Sequence, residues 1–244
     1  VLLLIHGFRG NHHGLEPIAG ALADWEIFIP DLPGFGATAE LEQINLEAYS
    51  EWLKNVFEQM PETTVPIGHS FGTTVLARAL ATGLGAKQAV MINPIGKANY
   101  YSADPINRIV KKYYELAKTN PKILKGKAFI NLMNKALVKT KAADLKAWIA
   151  KQHHENFNDY ASPRVAIEGF EVASKYSVAE FAERIDSEVL LITGKKDTIG
   201  AYKDQKQLTN LFAKSQFKEV PNLGHLLHYE APEELAKMIE AFVD

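Results

Sequence analysis

The chain has 244 residues, with 27 Lys and Arg against 29 Asp and Glu and a formal net charge of −2. That length suits one substantial core with an insertion better than two independent domains, and the near-neutral balance argues against a nucleic-acid binder. Cysteine is absent, which excludes disulfides, cysteine nucleophiles and thiolate metal sites. No apolar run approaches the roughly 20 residues that span a bilayer, so a cytoplasmic location is the expectation.

Residues 1–5 form an uninterrupted apolar run stopped by His6-Gly7, as expected of a strand buried on both faces of a parallel sheet. Helical spacing follows over 15–24, then a short apolar run over 27–29 that ends at Pro30. A helix is predicted over 46–60, a strand over 63–67, a helix over 73–82 and a strand over 88–92. After a long interval come a helix over 178–185, a strand over 188–193, a helix over 201–213, a weaker strand over 216–220 and a last helix over 232–242. Repeated alternation of strand and helix is the mark of an α/β fold with a mostly parallel central sheet flanked by helices. Ligands of such sheets sit beyond the carboxyl ends of the strands, which directs attention to the loops starting at His6, Asp31, Gly68, Asn93, Gly194 and Pro221.

The alternation breaks over 96–177, where helices are predicted at 100–118, 121–139 and 142–153 with Asn120-Pro121 as a break. The expected organisation is therefore a core of 1–95 and 178–244 with 96–177 inserted. The insertion is basic: from Arg108 to Lys151 there are twelve Lys or Arg against Glu115 and Asp144, while the remainder is acidic. Its stretch 122–139 combines five lysines with Ile123, Leu124, Phe129, Ile130, Leu132, Met133, Leu137 and Val138. Such a segment can rest on an anionic membrane or admit an acidic substrate; the commoner arrangement packs the apolar face on the body and leaves the lysines solvated.

Gly68-His69-Ser70-Phe71-Gly72 is a G-x-S-x-G pentapeptide between a buried strand and a helix. A serine on that sharp turn is exposed, and it needs small neighbours two residues away on each side. The helix start beyond it offers positive potential to a developing oxyanion. Serine needs a neighbouring base. His225, beside Gly224 in the loop after the sixth run, is the candidate, with His228 as its competitor. A base in turn needs an acceptor that fixes its tautomer. Asp197 follows the fifth run in Gly194-Lys195-Lys196-Asp197, whereas Asp186 and Asp204 read as surface charges and Asn93 carries an amide that cannot supply charge.

The order Ser70, Asp197, His225 is that of the α/β-hydrolase family, and the chain resembles that family in four segments: His6-Gly7-Phe8, Asp31-Leu32-Pro33-Gly34-Phe35-Gly36, the pentapeptide at Ser70, and Gly194 to Asp197 with Gly224-His225. The resemblance implies a Ser70–His225–Asp197 triad, an oxyanion hole from the backbone N–H groups of Phe8 and Phe71, and a helical cap over the site at about 96–177. The family's sheet usually begins with two further strands, so residues 1–5 take the third place in that scheme.

The reaction implied is acyl transfer to Ser70 followed by hydrolysis, with a small or medium carboxylic ester as small-molecule substrate. Thioesters, carbon–carbon bonds of ketones, cofactor-free haloperoxidase or perhydrolase chemistry, and slow-turnover ligand reception use the same constellation. No cofactor and no metal is expected. Asp31 reads as part of a Pro- and Gly-shaped turn without companion ligands. His12-His13 reads as a surface pair too divergent in an extended loop to hold one ion, and His6 and His69 as structural hydrogen-bonding groups.

Overall fold

A computed structural model describes residues 1–98 and 105–243. Six strands, β1 (Leu2–Ile5), β2 (Ile27–Phe28), β3 (Val65–His69), β4 (Gln88–Ile92), β5 (Glu188–Gly194) and β6 (Ser215–Val220), form one sheet in the order β2-β1-β3-β4-β5-β6. Every neighbouring pair is parallel, in register such as Leu3 with Pro66 and Met91 with Leu191. The mostly parallel α/β sheet expected from the alternation is thus present.

Side chains alternate across a strand, and the first run shows both faces in use. Leu2 and Leu4 join one buried cluster with Ile18, Leu235 and Ile239, whereas Leu3 and Ile5 join another with Tyr49, Leu53, Val75 and Leu76. The first cluster is covered by α1 (Glu16–Ala21) and α10 (Pro232–Val243), the second by α2 (Leu46–Phe57) and α3 (Phe71–Ala81). A face buried on each side explains why β1 carries no polar residue.

Between β4 and β5 lie α4 (Pro105–Thr119), α5 (Lys127–Leu137), α6 (Ala143–Asn156) and α7 (Pro163–Lys175). They share a third apolar cluster in which Tyr114, Leu124, Phe129, Met133, Leu137 and Ile149 meet Leu226 and Tyr229. In α5 the large apolar residues Phe129, Ile130, Met133 and Leu137 are buried while Leu132 is 39% exposed, and Lys122, Lys125, Lys127 and Lys135 of the basic stretch are exposed. The predicted start of the helix at Tyr100 lies outside the described residues.

Several boundaries differ from expectation. The stretch 121–139 is divided by Gly126 into a 3-10 turn, Pro121–Lys125, and α5. The helix expected over 178–185 is two 3-10 turns, Val178–Glu180 and Ala182–Arg184, the first closed by a capping box between Ser177 and Glu180. Only Tyr202–Gln207 of 201–213 is α-helical, as α8. Two helices were not anticipated. One is α7, whose start carries Ser162 accepting from the Val165 N–H with Pro163 in the first turn; the other is the single turn α9 (Leu227–Glu230).

Candidate active site

β3 runs two residues further than expected and ends at His69, and α3 begins at Phe71, so Ser70 alone makes the turn. Its φ of 52° and ψ of −121° lie in a region that non-glycine residues avoid. The chain can turn this tightly because a Cβ on Gly68 would lie 2.9 Å from Gly72 C, and one on Gly72 only 2.5 Å from Ile5 O. Ser70 N–H donates to Ile92 O at 3.0 Å, which ties the turn to β4.

Asp197 and His225 arrive on loops that follow β5 and β6. The two loops are pressed together: Lys195 N donates to Val220 O at 3.0 Å and Lys196 N to Leu223 O at 2.8 Å. A Cβ on Gly194 would stand 2.3 Å from Gly224 O, so only glycine admits this approach. The outcome is a continuous hydrogen-bonded line. Ser70 Oγ lies 2.8 Å from His225 Nε2, and His225 Nδ1 lies 2.9 Å from Asp197 Oδ2.

Asp197 is 6% exposed. Burial alone would raise its carboxyl, but the adjacent His225 and hydrogen bonds from His225, Gln205 and the Ile199 N–H outweigh that and hold it below its ordinary value. Oδ1 accepts from Ile199 N at 2.8 Å and Gly200 N at 3.2 Å, while Oδ2 also accepts from Gln205 Nε2 at 2.9 Å and Asn93 Nδ2 at 2.8 Å. A carboxylate with this many donors stays ionised and keeps one orientation. Neither Asn93, weighed in the sequence only as an alternative acid, nor Gln205 was anticipated as a donor.

The other histidines take different places. His6 Nε2 accepts from Leu32 N at 2.8 Å and its Nδ1–H donates to Gly7 O at 2.8 Å, while His69 Nε2–H donates to His225 O at 3.1 Å. Burial lowers His6 to about 4 and His69 to about 3, so both rings are neutral struts. His228 packs its ring 4.1 Å from His69, and its Nδ1 has no partner among the described residues. No hydrogen bond joins it to Ser70.

Phe8 and Phe71 flank the serine. A Cβ on Gly7 would stand 3.0 Å from Ser70 Cβ, which brings the Phe8 loop against the turn. Among the described residues neither the Phe8 nor the Phe71 backbone N–H donates to a protein acceptor. Arg9, at φ 59° and 1% exposed, was not singled out in the sequence. It donates to Tyr114 Oη, Leu124 O, Phe157 O and Asn158 Oδ1 and stacks over the Phe157 ring at 4.2 Å. One side chain thereby fastens the Phe8 loop to the helices between β4 and β5.

Above Ser70 is a cavity of about 200 Å³. Its walls are largely apolar, with Phe8, Tyr114, Phe129, Met133, Phe170 and Leu226 among them.

Two expectations about the Asp31 region fail. Asp31 does have a companion, since His12 Nδ1 lies 3.0 Å from both of its oxygens. His12 and His13 are not in an extended loop: they open a 3-10 turn, His12–Gly14, and their ring centroids are 4.0 Å apart. Asp31 still shapes its turn, accepting from the Ala37 N–H at 2.9 Å, and a Cβ on Gly36 (φ 52°) would collide with its carboxylate at 2.2 Å.

Comparison with known proteins agrees with this architecture. Lipase 3 of Moraxella sp. (strain TA144) is 24% identical over 251 residues, spanning 100% of this chain and 77% of that protein. The biotin biosynthesis bifunctional protein BioHC of Cellvibrio japonicus (strain Ueda107) is 22% identical over 249 residues, and the match covers 100% of this chain but 47% of that protein. The crystal structure of a bromoperoxidase from Bacillus anthracis superposes with a TM-score of 0.84 at 19% identity, covering 99% of this chain and 91% of that one, a likeness of fold. A model of the alpha/beta hydrolase family matches residues 2–238. A match of that extent, on a six-stranded parallel sheet with a serine at the turn after β3, makes the chain a member of the alpha/beta hydrolase family.

Proposed function

We propose that the protein hydrolyses small or medium carboxylic esters through an acyl-enzyme, with Ser70 as nucleophile, His225 as general base and then general acid, and Asp197 as the group that orients the imidazole. The observation that carries this reading is the unbroken contact of 2.8 Å from Ser70 Oγ to His225 Nε2 and 2.9 Å from His225 Nδ1 to Asp197 Oδ2.

In the first step Ser70 Oγ attacks the ester carbonyl while its proton passes to His225 Nε2, and Asp197 stabilises the imidazolium that forms. The tetrahedral oxyanion is received by the Phe8 and Phe71 N–H groups, each without a protein acceptor among the described residues. Removing a donor of this kind typically costs about a hundredfold to a thousandfold in rate. His225 returns the proton to the alcohol as it leaves, then takes one from water as that water attacks the acyl carbonyl, releasing acid and free Ser70.

In this reading residues 96–177 are a cap, and the apolar cavity beneath it takes the acyl group. Support comes from the third apolar cluster, in which Tyr114, Phe129 and Met133 meet Leu226, the residue after His225.

Incubation with a fluorophosphonate followed by peptide mass spectrometry tests the assignment. One adduct at Ser70, absent from Ser70→Ala, is expected; an adduct on another serine removes the nucleophile from the proposal. A progress curve with a nitrophenyl butyrate then separates an enzyme, which turns over, from a receptor that stops near one equivalent.

A further inference from the structure

The turn that follows the Phe8 loop carries a group of side chains that the hydrolytic reading does not use. Among the described residues only His12, His13 and Glu16 bring three donor atoms of the metal-binding kind together, one ring nitrogen from each histidine and one carboxylate oxygen, all within 4.8 Å of one another. His13 Nδ1 and Glu16 Oε1 are already 2.8 Å apart. Two ligands of one tetrahedral Zn²⁺, each at about 2.0–2.1 Å, stand roughly 3.3 Å apart, so the pair needs an adjustment of only a fraction of an ångström. The side chains of His13 and Glu16 are 44% and 57% exposed and can make it.

A second observation sets this group apart from a chance surface cluster. The ring of His12 is fixed by Asp31, since Nδ1 faces both of its oxygens at 3.0 Å, and an ion held by His12 with this contact kept would take Nε2. Asp31 is itself fixed: its side chain is 4% exposed, and it accepts the His12 N–H at 2.6 Å and the Ala37 N–H at 2.9 Å. A buried carboxylate on the far nitrogen of an imidazole is the arrangement that orients metal-ligating histidines and raises their basicity.

We propose that His12, His13 and Glu16 form a binding site for a borderline divalent transition ion, with Asp31 as the group that orients His12. Two imidazoles and a carboxylate are the donor set of Zn²⁺ and its neighbours; Mg²⁺ and Ca²⁺ call for oxygen donors. The exposed side of the cluster leaves room for water as the remaining ligand. The candidate site shares no residue with the hydrogen-bonded line at Ser70. Through Asn11, Gly14 and Leu15, which line the cavity, it sits beside the cavity wall.

The test is calorimetric titration of the whole chain with Zn²⁺ alone in a metal-free, non-chelating buffer at neutral pH. One saturable site is expected, together with a rise in unfolding temperature at excess ion and no such site for Mg²⁺. His13→Ala and Glu16→Gln, both at solvent-facing positions, each weaken binding about tenfold or more, while His154→Ala leaves it unchanged. Absence of a saturable site in the folded wild type overturns the proposal. So does a site whose affinity survives the His13→Ala/Glu16→Gln double variant, because the ion is then held elsewhere.

Discussion

Asn93 Nδ2 donates to Asp197 Oδ2 at 2.8 Å, so an amide at the end of β4 holds the same oxygen that receives His225 Nδ1. Asn93 is fully buried and has a φ of 48°, and its N–H is bonded to Ile192 O at 2.8 Å. The backbone at the strand end thus fixes where the amide points. With Gln205 as the other side-chain donor, Oδ2 cannot swing away from the imidazole.

Asn93→Ala removes one of the bonds that orient Asp197 without removing the charge. A hydrogen bond to an ionised group contributes about 1.5–3 kcal/mol, and the lower end of that range, felt in the transition state, is roughly tenfold in kcat. The expected result is a fall of about that size with KM little changed. Asp197→Asn, which keeps the shape but inverts the tautomer preference, is expected to cost about 10⁴. Steady-state kinetics on a nitrophenyl ester decide; equal losses for the two variants would mean that Asn93 does more than position.

Gly72→Ala sets two effects against each other. Replacing glycine in a helix gains about 1 kcal/mol in propensity, but the new Cβ would stand 2.5 Å from Ile5 O and 2.7 Å from His6 O. Those are backbone atoms at the end of β1 and just beyond it and cannot rotate aside, and overpacking of this kind typically costs about 1–3 kcal/mol. Contacts this short put the cost at the upper end of that range, so net destabilisation of about 2 kcal/mol is expected, read as a lower urea midpoint. An unchanged midpoint would show that β1 shifts more easily than its buried faces suggest.

The legible and illegible parts of the chain divide along a physical line. Strands such as residues 1–5 are apolar on both faces because both faces are buried, and that run is visible without coordinates. The pentapeptide at Ser70 was visible for a related reason: Gly68 and Gly72 are there because backbone passes within 3 Å of where a Cβ would be. Ser70, Asp197 and His225 are brought together as their positions at strand ends required. What could not be read depends on contacts between segments far apart in the chain. Arg9 meets residues 105–149 positions away, and Asn93 meets Asp197 at a separation of 104, with no local pattern to announce either. The His12-His13 pair was misread because a three-residue 3-10 turn leaves no periodicity, and its partner Asp31 is 19 residues on.

On the proposed esterase reading, the preferred acyl-chain length follows from the cavity. Burying a methylene against walls such as Phe129, Met133 and Phe170 is worth about 0.8 kcal/mol, roughly fourfold in kcat/KM. The volume of about 200 Å³ sets the limit. A series of nitrophenyl esters should therefore rise through short chains, level off once the cavity is filled and then decline. A continued rise to sixteen carbons would place the acyl group outside this cavity.

Stability should fall with acidification well before the carboxylates titrate. His6, His69 and His228 are each at most 6% exposed. Burial lowers His6 to about 4, His69 to about 3, His153 to about 4 and His228 well below its ordinary value, and repulsion from neighbouring histidines is the second cause in His69, His153 and His228. Unfolded, each takes a proton near pH 6.5. Above that pH both states are neutral and the folded state carries no penalty. As pH falls from 6.5 toward 4, the unfolded chain binds protons that the folded chain cannot, and stability drops by about 1.4 kcal/mol per pH unit for each such histidine. The loss continues until the folded rings titrate near 4 and 3, and Asp31 and Asp197, held low in the folded protein, add to it in the same direction at the acid end. Urea unfolding at pH 7, 6 and 5 should show midpoints that fall steadily, with a slope of about four protons near pH 5 from His6, His69, His153 and His228. His228→Gln, which cannot titrate, should take about one proton from that slope; a midpoint that stays level from pH 7 to pH 5 would show that these rings are protonated in the folded state.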